Sequence, residues 1–170
     1  MKPKAKPDRQ EPKSSPGETP SEATSYTRKH LRWGWWSLLV FLSAGVILET
    51  LHGFKVGAYL DVPNATRRLM WTLGHAHGTL LSLVHVAFAV TIPHLPPGTF
   101  KKLKTISSCL IASSLMMPGG FFLGGAVTYG GDPGFGIFLL PIGAFTLFIG
   151  VYVTASCIPS IGSRPSSTGF

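Results

Sequence analysis

Four apolar segments, each close to or above the ~20 residues that cross a hydrocarbon core, constrain this chain more than any other feature. They run from Trp33 to Gly53, Leu69 to Pro93, Leu103 to Tyr129 and Phe135 to Ile158. Backbone exposed to lipid must satisfy its own N–H and C=O groups, so segments of this length and composition form helices. The links between them are short, which makes successive helices antiparallel neighbours. The expected fold is all-α: an integral membrane antiparallel four-helix bundle over residues 31–160, with tails at 1–30 and 161–170.

Charge follows the same division. Only 13% of the residues are charged, against about 25% in a soluble domain. Residues 1–32 carry 8 of the 15 Lys and Arg and 4 of the 7 Asp and Glu. The remaining body has too few charges for an aqueous surface, so lipid is its expected solvent. Residues 1–30 are rich in proline and poor in large aliphatic side chains, the composition of a disordered tail. The net charge of +8 does not point to nucleic acid, because no basic face interleaved with aromatics and no zinc-finger spacing is present. Cys109 and Cys157 both fall in apolar segments and read as packing residues.

Lys and Arg near the spans set orientation. Arg28, Lys29 and Arg32 precede the first span, Lys101, Lys102 and Lys104 lie between the second and third, and Arg164 follows the fourth. With four spans these regions share one side, so both termini are expected in the cytoplasm. Lys55, Arg67 and Arg68 break the trend in the first outer loop.

Ionisable groups at membrane depth are costly and mark function or a partner. The first span ends in Glu49-x-x-His52, and the second carries His75, His77 and His85. Glu49 and His52 share a helix face. Counting turns puts His75 at a similar depth, so Glu49, His52 and His75 form the expected metal-ligand set, with carboxylate and imidazole donors suited to Fe, Cu or Zn. His75 shares a polar stripe with Arg68, Thr72, Thr79 and Ser82, whereas His77 lies about 200° away around the helix. Arg68, two turns above His75, is the expected anion partner of a bound group. In the third span, Gly120-x-x-x-Gly124 allows close helix contact, Pro118 should kink the helix, and Met116 and Met117 read as packing rather than ligands.

The run LGHAHGTLLSLVH resembles the His-x-His membrane helices of haem-copper oxidases and related membrane proteins. That resemblance implies the imidazoles of His75 and His77 presented to haem on opposite sides of one helix; with the depth and stripe arguments, His52, His75, His77 and Arg68 are the residues expected around a b-type haem. The copper-site histidines of that family have no counterpart here. A longer part of the chain is similar to uncharacterised small bacterial membrane proteins with four spans, a His-x-His second helix and a Gly-rich third. That similarity implies a bacterial inner-membrane protein.

The leading functional expectation is an integral membrane protein that binds haem b or a transition metal in the outer half of the bundle, as an accessory to respiratory electron transfer. One alternative is a structural or assembly subunit without cofactor, in a larger membrane complex or a homo-oligomer. Another is a small proton-coupled transporter using Glu49 and His75. No serine-nucleophile motif, phosphate loop or zinc-protease motif occurs, so hydrolase, kinase and ATPase chemistry has no support. The chain is not expected to be an enzyme by itself.

Overall fold

The computed structural model describes residues 20–159. Five helices follow in order: α1 (Pro20–Gly53), the short α2 (Gly57–Leu60), α3 (Ala65–Thr91), α4 (Phe100–Ala126) and α5 (Leu139–Ala155). Four of them, with their flanking turns, are long and apolar enough to cross a membrane: Glu22–Gly53, Val62–His94, Lys101–Ala126 and Phe135–Ala155. The all-α expectation holds. α1 packs along α3, α3 along α4, and α4 along α5. α3 and α4 are therefore the inner helices, and α1 and α5 the outer ones.

Three of the places where helix boundaries differ from the sequence reading have a clear local reason. α1 starts at Pro20, well before Trp33, so residues 20–30 of the expected tail are helical. Ala23 and Tyr26 pack against a core of Phe88, Ile92, Leu95, Leu103, Ile106, Leu110 and Cys157. That tertiary burial overrides a composition which alone reads as disorder. Residues 1–19 and 160–170 lie outside the described residues, and so do the corresponding parts of the two expected tails. α3 begins at Ala65 rather than Leu69, behind a 3-10 turn over Val62–Asn64 with Pro63 in its first turn. There proline's fixed φ favours helix entry.

The third difference is at the end of α4. The helix stops at Ala126, and Thr128–Tyr129 pairs antiparallel with Asp132–Pro133. Gly130 and Gly131, at φ 58° and 96°, form the two-residue turn. Positive φ at both central positions is what such hairpin turns require. The Thr66 hydroxyl on α3 donates to the Gly131 carbonyl and ties this ribbon to the start of α3.

Small residues set the α4–α5 spacing. A Cβ placed on Gly120 would sit 3.0 Å from the Gly136 carbonyl and from Leu140, as expected of a close-contact motif. A Cβ on Gly143 would meet Met117 at 2.7 Å and Met116 at 3.0 Å. Both methionines thus pack against α5. Pro118 is fully buried inside α4.

Candidate functional site: a buried histidine pair

A buried polar contact joins two helices through residues 55 positions apart. His30 of α1 and His85 of α3 face each other with Nδ1···Nδ1 at 2.6 Å. Their relative exposures are 0% and 1%. The rings stack with centroids 4.9 Å apart and 19° between planes. Phe88 meets His30 edge-on at 4.8 Å, and Trp33 lies 6.1 Å from His85. Apolar and aromatic walls thus enclose the pair.

One nitrogen must donate and the other accept, so the two rings are opposite tautomers. Of the two arrangements, the one with His30 donating from Nδ1 leaves the proton of His85 on Nε2, which completes no hydrogen bond among the described residues. His30 Nε2 is likewise buried without a partner among the described residues. It carries a lone pair in this arrangement. Lys29 is the cation acting on both rings, and its ammonium donates to Ser107 of α4 at 3.2 Å.

The two Nδ1 atoms stand at hydrogen-bond distance, 2.6 Å, closer than the about 3.3 Å of two nitrogens at ~2.0–2.1 Å on one tetrahedral ion.

The pair sits at one end of a polar line on the face of α3 that meets α1. From His85 the line runs through Ser82 and Thr79 to His75, spacings of three, three and four residues that keep one helix face. Ser82 donates to the Gly78 carbonyl at 2.7 Å. Thr79 Oγ1 is buried without a partner. His75 Nδ1 donates to the Phe41 carbonyl of α1 at 2.7 Å. Its ring fills the space that a side chain at Gly45 would take.

The residues singled out by spacing are placed differently. Among the described residues, no group of three or more His, Cys, Asp or Glu side chains is positioned to hold a metal ion. Glu49, His52 and His75 are therefore not gathered as the expected ligand set. His75 meets α1 at the Phe41 carbonyl and at Gly45, eight and four residues before Glu49 on that helix. Glu49 and His52 are exposed.

His77 faces α4, beside Phe121 at 4.8 Å, and its Nδ1 donates to the Leu73 carbonyl at 2.9 Å. His77 thus lies on a face of α3 separate from that of His75, as the spacing implied, and its Nδ1 is bonded within α3 itself. Arg68 donates to the Tyr59 and Leu60 carbonyls at 3.3 and 3.1 Å, so it ties down α2. Arg67 donates to the Gly125 carbonyl at 3.1 Å and to Asn64 at 2.8 Å. Two of the three cations that defied the orientation rule, Arg67 and Arg68, thus satisfy carbonyls where chain segments end.

His30 was missed because it precedes the apolar run that begins at Trp33. The available signal was a helix-compatible stretch, Tyr26 to Arg32, joined to that run without Pro or Gly before Gly34. Searches of protein-family models, curated proteins and solved structures return no match to this chain, so neither sequence resemblance gains support from them.

Proposed function

We propose that this chain is a small proton-handling membrane protein whose centre is the His30–His85 pair. The observation that carries the reading is shared location. All the buried side-chain polar atoms without partners among the described residues, His30 Nε2, His85 Nε2 and Thr79 Oγ1, lie on helices α1 and α3 along the polar line. Buried polar atoms are normally paired, and exceptions call for a water, an ion or a catalytic role.

The chemistry is proton exchange. A proton taken up at His30 Nε2 lets His30 pass its Nδ1 proton to His85 Nδ1. His85 then releases its Nε2 proton, and the charge has crossed the pair without any heavy atom moving between residues. Beyond it, Ser82, Thr79 and His75 follow at rises of about 4.5, 4.5 and 6 Å, steps that bridging water spans. Lys29 and its partner Ser107 are the charged and polar groups beside the entrance. Both termini are assigned to the cytoplasm of a bacterial inner membrane, with the His30–His85 end on that side.

The test is proton flux into vesicles containing the purified chain, driven by a potassium diffusion potential and read with an internal pH dye. His30→Ala and His85→Ala should abolish flux. Thr79→Val, which keeps shape and removes one unpaired oxygen, should lower it, and His77→Ala should leave it within about twofold. Flux equal to that of empty vesicles, or unchanged by both histidine variants, would overturn the proposal.

A second reading keeps haem b or a transition metal (Fe, Cu or Zn). Its support is the two buried imidazole Nε2 atoms without partners. It requires the rings to turn so that Nε2, not Nδ1, faces the bound group. A Soret band or stoichiometric metal in the purified protein, lost in His85→Ala, would favour it. In either reading the exposed apolar faces of α1 and α5 suit lipid, a second copy or a larger membrane complex.

A further inference from the structure

An open groove of about 1040 Å³ runs along α1, on the side of the membrane where α1 begins. Its upper part is lined by Arg28, Lys29 and Arg32, and its lower part by Trp33, Trp36 and Val40. The described lining residues include no carboxylate. Arg28 and Arg32 are exposed, and no ion pair to either occurs among the described residues. Lys29 is tethered to Ser107, and the Trp33 indole donates to Ser114 at 3.1 Å, so α4 holds two of the lining side chains in place. From Arg28 to Val40 the helix rises about 18 Å. The groove therefore passes from a cationic mouth to an apolar floor, with tryptophans at the level where they mark the membrane interface.

We infer that this groove is a binding site for an anionic phospholipid. The headgroup phosphate meets Arg28, Lys29 and Arg32, and an acyl chain lies along Trp36 and Val40. Charge complementarity carries the choice. Three cations, with no carboxylate among the described lining residues, facing a leaflet surface, select an anionic headgroup over a zwitterionic one. The apolar floor selects a lipid over a free anion. The site uses neither His30 nor His85, and it shares Lys29 with the entrance of the proposed proton path.

The test is native mass spectrometry of the purified full-length chain with equimolar phosphatidylglycerol and phosphatidylcholine of matched acyl chains. The expected result is at least about tenfold preference for phosphatidylglycerol, falling about fivefold per arginine, the equivalent of about 1 kcal/mol each, in Arg28→Gln and Arg32→Gln. Trp36→Ala should weaken retention of both lipids. Lys101→Gln/Lys102→Gln, a cationic pair outside the groove, should keep the preference. Three results would each overturn the site: equal retention of the two lipids, equal loss in the Lys101/Lys102 variant, or displacement of phosphatidylglycerol by inorganic phosphate alone. Thermal unfolding in detergent checks that the variants fold, and the conservative Arg32→Lys should restore most of the preference.

Discussion

The two ends of the α1–α3 interface carry similar residues and do different work. At one end Glu49 and His52 are exposed on the last turns of α1. At the other, His30 and His85 are sealed between helices with a 2.6 Å bond. Both ends place ionisable groups in membrane-length helices. Only the second removes them from solvent and lipid and leaves their outer nitrogens unpaired. Chemistry in a membrane depends less on which ionisable residues are present than on which ones packing withholds from other partners.

The sharpest way to break the comparison is to remove one partner at each end. His85→Ala should destabilise the protein by about 1–3 kcal/mol, because His30 is left buried and unpaired. Glu49→Gln and His52→Ala should stay within about 0.5 kcal/mol, as exposed substitutions do. Reversible unfolding in mixed detergent reads all three. Equal effects at both ends would dissolve the distinction. A double-mutant cycle of His30→Ala and His85→Ala sharpens it, with an expected coupling of about 0.6–1.7 kcal/mol, the range of membrane interhelical hydrogen bonds.

An effect of similar or slightly smaller size is expected midway along the interface. Gly45→Ala would push a methyl into the His75 ring and should cost about 1–3 kcal/mol by overpacking, while breaking the bond to the Phe41 carbonyl. Gly53→Ala, with no atom within 4 Å of its Cβ position, is the matched control and should change little. Histidine ring NMR should show a shifted His75 Nδ1 signal in the first variant alone.

The smallest expected effect concerns orientation. Asp61→Cys, in the loop beyond the Glu49 end, should react with an impermeant thiol reagent added outside cells, and Lys102→Cys should be protected. Stability should be nearly unchanged in both. The reverse labelling pattern would place the His30–His85 end outside and invert the direction of the proposed proton path.

The membrane fold was legible in the sequence because it depends on sums. Four runs of apolar residues, few charges and short links leave little choice of architecture, and small shifts at the boundaries do not alter it. The separate face of His77 and the packing role of Met116 and Met117 were also legible, since helical periodicity and side-chain chemistry are local. The site was not. His30 precedes Trp33, where hydropathy places the edge of the span, and nothing nearby in sequence marks it as buried. Its burial comes from α1 extending back to Pro20 so that Ala23 and Tyr26 reach the core. His75 and Glu49 were paired by counting turns, but the register between the helices sets His75 against Phe41 and Gly45, about one to two turns from Glu49. Composition and periodicity act within one helix and are written in its residues. The contact between His30 and His85 depends on the register between two helices, and only tertiary packing decides that register.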